Sequence, residues 1–244
     1  PLLPAAPVIS RRAFLGAAGA GLALAGFQSL ALTKLAAGEE EAAVRPPGSI
    51  PEADFLTKCL RCGECVKACP TNGLSLLGLE SGLGRAFSPY LLARRGPCEP
   101  ECNACGQVCP TRAIRPLPLA EKKWAKMGTA LVLKETCLAW AEDRRCVVCQ
   151  EVCPYAAIDL VQEEGLQAPV PVVSAARCYG CGYCELHCPV AKPAIVVVAE
   201  GALRLREGGF IGEAQARGLE LDPDQRDHDE YTPDDQLPPG FIFD

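Results

Sequence analysis

Sixteen cysteines are the residues in this chain with chemistry to offer. They fall into four groups. The first is Cys59, Cys62, Cys65 and Cys69, followed by Pro70; the second is Cys98, Cys102, Cys105 and Cys109, followed by Pro110. The third is Cys137, Cys146, Cys149 and Cys153, followed by Pro154; the fourth is Cys178, Cys181, Cys184 and Cys188, followed by Pro189. All four end in the spacing C-x2-C-x3-C-P, and they differ in how far ahead the opening cysteine stands. A tight loop with thiolates every third residue wraps three corners of an iron–sulfur cube, while the cysteine four residues on points to a different cube. Soft thiolates also take zinc or copper(I). Zinc would use paired C-x2-C sites and leaves the repeated wider gap and trailing proline without a purpose. Disulfide geometry is poorly served by cysteines three apart in a tight loop. The spacing therefore predicts four [4Fe–4S] clusters with all sixteen cysteines as metal ligands.

Loops of this kind need short elements to hold them. β-prone runs flank them: residues 113–117, 157–161 and 194–198 follow groups two, three and four, and residues 129–136 and 171–177 precede groups three and four. A short helix after each fourth cysteine, then a strand, is the expected plan. Gly63 and Gly182 stand between the second and third cysteines of groups one and four, where the backbone must run close to a cluster. With only seven Phe, five Tyr and two Trp, much of the folding energy must come from bound metal rather than a large core.

The rest of the chain bounds the function. A net charge of −6 argues against a nucleic-acid partner. There is no phosphate-binding loop, nucleophile elbow or zinc-hydrolase motif, and two histidines leave little for acid–base work, so no residue is assigned a catalytic role. His187, beside Cys188, reads as a surface helix residue. Trp124 and Trp140 read as packing for small cores. Lys122, Lys123 and Lys126 read as a solvated basic patch.

At the N-terminus, Ser10, Arg11 and Arg12 precede Phe14-Leu15 and an uncharged run from Ala13 to Thr33. This resembles a twin-arginine export signal, which carries folded, cofactor-loaded proteins across a membrane. Ser29-Leu30-Ala31 offers a cleavage site. The run would also span roughly 30 Å as a helix, enough for an uncleaved anchor. Residues 1–37 are thus signal or anchor. Residues 38–53, acidic and proline-bearing, read as a linker. Residues 206–244 read as an extended acidic tail that builds no core and is laid along a partner or left free.

Taken together, the signal, the four groups, "SPYLLARRGPCE" before group two, "AKMGTALVLKETCL" before Cys146 and "RRCVVCQEVCP" resemble the NapG/MauM family of periplasmic ferredoxin-type proteins. The spacing around Cys98 departs from the family's. The resemblance implies a non-enzymatic electron-transfer protein on the periplasmic side of the cytoplasmic membrane. Its partners would be an integral-membrane iron–sulfur or quinol-oxidising protein and a periplasmic redox enzyme or cytochrome. A subunit of a larger respiratory membrane complex and a maturation factor for a periplasmic enzyme are the alternatives.

The expected fold is α+β, a duplicated bacterial-type 2[4Fe–4S] ferredoxin. In such a fold the fourth cysteine of each group serves the partner group's cluster. The groups can pair in sequence or nest. The shared spacing of groups one and four, and the nested layout of multi-cluster respiratory subunits that the chain resembles, favour nesting. Residues 54–97 and 162–205 would then form an outer unit around an inserted unit, 98–161.

Overall fold

The structure is a computed structural model and describes residues 43–221. Residues 77–87 are grouped as a separate unit, a turn-rich stretch with a 3-10 helix at Leu79–Ser81, closed by the Phe87 N–H donating to the Leu77 carbonyl at 2.8 Å. The other described residues form two copies of one α+β plan, one after the other in the chain.

The second copy is the more regular. Strand β3 (Thr129–Val132) pairs antiparallel with β6 (Ile195–Val198), and β4 (Ile158–Val161) pairs antiparallel with β5 (Val170–Val173). The outer strand pair and the inner hairpin enclose both groups three and four. In the first copy, β1 (Leu74–Leu76) pairs with β2 (Pro89–Leu91), and the outer pair shrinks to a single bridge between Ser49 and Ile114. Residues 113–117 therefore form no strand; Pro116 lacks the N–H a longer ladder needs. Among the described residues all strand pairing stays within 49–114 or within 129–198, so the nested division into outer and inserted units does not hold.

Each cysteine loop runs into one turn of helix. These are α2 (Glu64–Lys67), α3 (Ala104–Gln107), α6 (Val148–Glu151) and α7 (Tyr183–His187). They precede the fourth cysteine, whereas the sequence suggested a helix following it. After the fourth cysteine the chain turns through Cys-Pro and then a left-handed residue in three of the four groups, at Asn72, Arg112 and Ala156. That turn leaves no room for helix. The remaining α-helices among the described residues are α1 (Glu52–Lys58), α4 (Leu119–Lys122), α5 (Leu138–Ala141) and α8 (Phe210–Ala216).

Two stretches read as unpacked are packed. Residues 43–50 have little regular structure yet are buried. Their anchor is Arg45, which donates to Glu52 (Nε to Oε2, 3.0 Å), Ser88 Oγ (2.9 Å) and the Pro89 carbonyl (2.6 Å), and lies over the Phe55 ring at 4.7 Å. Arg204 reaches the same carboxylate. Burial alone would raise the Glu52 pKa, but Arg45 and Arg204 outweigh it and hold the carboxyl below its usual range. Prolines ruled out a helix or strand here without ruling out burial. The tail's first part also packs: Phe210, Ala214 and Leu221 are fully buried, and the Phe210 N–H donates to Glu121 Oε1 at 2.9 Å. The uncharged run, its arginine pair and residues 222–244 lie outside the described residues.

Candidate metal centres

The loop backbones explain the spacing. In groups one and four, the residue before the second cysteine (Arg61, Gly180) and the one after it (Gly63, Gly182) are left-handed, with Gly63 and Gly182 capping the helices that follow. Groups two and three cap theirs with Asn103 and Val147 at negative φ. The shared spacing of groups one and four thus records a shared loop conformation, not a partnership.

The thiols gather into four sets, each made of three cysteines from one group and the fourth cysteine of its sequence neighbour. Cys59, Cys62 and Cys65 line a cavity with Cys109, and Cys98, Cys102 and Cys105 line one with Cys69. Cys137, Cys146 and Cys149 line one with Cys188. Cys178, Cys181 and Cys184 lie within electrostatic reach of one another and of Cys153. Nesting would have joined Cys69 and Cys188 to the opposite groups; the structure does not. Cys98, where the spacing departs from the family's, sits in its set as fully as the others.

The donor sets fit a bound cluster. Every cysteine is a free thiol. Burial, then neighbouring cysteines, push the Cys65 and Cys149 thiols up, each to about 12. Crowded buried thiolates are unfavourable unless a cationic body between them takes up their charge. Amides point at the fourth cysteines: Ala157 N–H donates to Cys153 Sγ, and Ala194 N–H to Cys188 Sγ, both at 3.3 Å. Such donors to sulfur stabilise added negative charge.

The sets follow one another. Cys105 feels Cys65 within the first copy, and Cys184 feels Cys149 within the second. Between copies, the Cys98 N–H donates to the Cys181 carbonyl at 2.7 Å, and the two thiols lie within electrostatic reach. From end to end the order is Cys59/62/65/109, Cys98/102/105/69, Cys178/181/184/153 and Cys137/146/149/188. Cys62 and Leu60 are exposed at one end, while Cys178, Cys181, Cys184 and Cys153 are all buried.

Several side chains at the central junction were missed or misread. Tyr155 and Tyr179 stack with ring centroids 4.9 Å apart, buried beside Cys98 and Cys181. Their one sequence signal is position, directly after Pro154 and directly after Cys178. Lys122 and Lys126 are not a solvated patch: they are 1% and 2% exposed. Lys123 pairs with Glu101 at 2.5 Å. The neighbouring short helix and turn, not an amphipathic face, decide where these three point, so charge spacing was no guide. His187 is exposed as expected, stacked on Tyr183. Trp124 and Trp140 pack against apolar clusters as expected, and Trp140 Nε1 donates to the Pro171 carbonyl.

Comparison with known proteins agrees with this geometry. Residues 144–192 match a 4Fe-4S dicluster domain, a single unit containing the C-x2-C-x3-C-P run of group three and all of group four, and residues 55–75 match a 4Fe-4S binding domain. The methylamine utilization ferredoxin-type protein MauM of Methylorubrum extorquens is 39% identical, covering 78% of this chain and 89% of the relative. The ferredoxin-type protein NapG of Escherichia coli is 40% identical, covering 73% of this chain and 79% of the relative. A solved formate dehydrogenase–heterodisulfide reductase–formylmethanofuran dehydrogenase complex from Methanospirillum hungatei matches 67% of this chain and 56% of its own at 18% identity. Its TM-score of 0.23 is too low to show a common fold.

Fold and cysteine sets define an iron–sulfur electron-transfer protein carrying [4Fe–4S] clusters on a duplicated ferredoxin plan. The chain belongs to the NapG/MauM family of ferredoxin-type proteins.

Proposed function

We propose that the four cysteine sets each hold one [4Fe–4S] cluster and that the protein relays electrons between a quinol-linked membrane partner and a periplasmic redox enzyme. The observation that carries this reading is the end-to-end order of the sets. Bound clusters supply one-electron transfer at potentials set by their surroundings. The chain's part is to space the sets, bury the set at Cys178, Cys181, Cys184 and Cys153 and leave an end accessible to a partner. Exposed Leu60 beside Cys62 suits such a contact. The twin-arginine pattern supports export of the loaded protein, with the membrane run retained as an anchor or removed.

Protein purified without oxygen should contain about sixteen iron and sixteen acid-labile sulfide per chain, as four cubanes require. Zinc without sulfide would end the reading. Replacing Arg11 and Arg12 together by Lys should leave the protein in the cytoplasm, because the export receptor reads the guanidinium pair. Unchanged export in a fractionation experiment would refute the location. A stoichiometric membrane protein that co-purifies supports the relay, whereas contact only with an immature enzyme supports a maturation role.

A further inference from the structure

Two ammonium groups are buried at the junction of the copies, one against each inner cysteine set. Lys122 Nζ donates to the carbonyls of Glu99 (2.5 Å) and Pro100 (3.2 Å), sits 5.2 Å from the Tyr179 ring centroid, and lies within electrostatic reach of the Cys98 and Cys105 sulfurs. Lys126 Nζ donates to the carbonyls of Ala175 (2.5 Å) and Cys178 (2.7 Å) and interacts electrostatically with the Cys178 sulfur. Burying a cation is costly unless an anion accompanies it. Carbonyl dipoles meet part of that need, and a thiolate-ligated cluster supplies the negative charge.

Half-buried Glu99 also lines the cavity of the Cys98 set, its carboxylate held by the Tyr183 hydroxyl. The outer cavities have no buried lysine in their lining. The cavity at Cys137, Cys146, Cys149 and Cys188 is otherwise lined by Val, Leu, Ile, Ala and Pro alone. The charged residues at the other outer cavity, Arg61 and Glu64, are exposed to water, which screens them.

Resting on the four-cluster reading, we infer that Lys122 and Lys126 are positioning residues for charge, fixing the potentials of the two inner clusters above those of the outer two. Reduction adds one negative charge to a cluster. A fixed cation in a low-dielectric site stabilises that added charge and favours the reduced form. The first electrons to enter the protein would then reside in the middle, beneath the stacked tyrosines, rather than at the ends.

The test is a redox titration of the full-length, cluster-loaded protein followed by low-temperature EPR, after iron and sulfide have been counted. Lys122→Gln and Lys126→Gln should each move one midpoint downward, each a different one. The expected shift is at least tenfold in the electron-transfer equilibrium, about 59 mV for one electron. Lys122→Arg and Lys126→Arg keep the charge and should restore the midpoints. Lys123→Gln, which breaks a partly exposed pair, should leave all midpoints unmoved. Wild-type protein with four clusters whose midpoints ignore the Gln substitutions overturns this inference alone. Wild-type protein lacking four clusters overturns the reading beneath it. If a Gln variant loads poorly, Lys→Met is the neutral replacement of matching length. Loss of loading by both, with full loading by Arg, would overturn potential setting in favour of a role in assembly.

Discussion

At the residue scale, the sixteen cysteines announced themselves because metal-binding loops impose spacing on the chain. The residues around them did not. A buried lysine and a surface lysine are written alike, and only the fold shows that Lys122 and Lys126 turn inward. Tyr155 is a similar case. Its ring packs on Tyr179, but its hydroxyl is buried with no hydrogen-bond partner among the described residues, whereas the Tyr179 hydroxyl donates to the Lys122 carbonyl at 2.9 Å. An unsatisfied buried hydroxyl costs roughly 1–3 kcal/mol, and the phenyl ring keeps the stacking. Tyr155→Phe should therefore hold or raise stability by about 1 kcal/mol, while Tyr179→Phe should lower it by about 1 kcal/mol. Denaturant midpoints of the cluster-loaded variants decide it; a clear loss in Tyr155→Phe would mean that its hydroxyl has a partner.

At the element scale, strands β3 to β6 were visible as apolar β-branched runs, and β1 and β2 were not. Three residues each, one beginning with Pro89, carry too little periodicity to be told from loop. Helix placement was misjudged because a helix of one turn has no amphipathic signature. The glycines between the second and third cysteines were legible, and they now separate two effects. Both have left-handed φ, but a Cβ on Gly63 would meet nothing within 4 Å, whereas one on Gly182 would lie 2.6 Å from the Ala93 Cβ. Gly63→Ala meets no protein atom, so its cost from the chain itself should be the conformational penalty, about 1 kcal/mol. Gly182→Ala should cost several kcal/mol, since the clash with Ala93 adds overpacking. Equal losses, measured as denaturant midpoints, would mean that crowding at Gly182 is relieved at no cost.

At the scale of the whole molecule, duplication was readable and order was not. Spacing reports how each loop is built; it does not report which loop faces which, because pairing is decided by strands far apart in sequence, such as β3 with β6. The buried segment around Arg45 and the packed start of the tail were lost for a related reason: their partners are distant, Ser88 in one case and Glu121 in the other. The apolar clusters are small, and cysteines contribute to three of the four. Oxidative removal of the metal should therefore unfold both copies rather than leave an apo-ferredoxin fold. Far-UV circular dichroism and loss of dispersed amide resonances would report it; a folded apo-protein would show that the cores suffice alone.

The central claim is that four clusters stand in a row, held by groups paired in sequence. Anomalous diffraction at the iron edge from anaerobic crystals tests it most directly. The account predicts four iron-rich centres in the end-to-end order given above. The Cys69 sulfur should lie about 2.3 Å, the metal–thiolate distance of zinc sites, from an iron shared with Cys98, Cys102 and Cys105. An iron at Cys69 shared instead with Cys178, Cys181 and Cys184, or single metal ions in place of cubes, would contradict it.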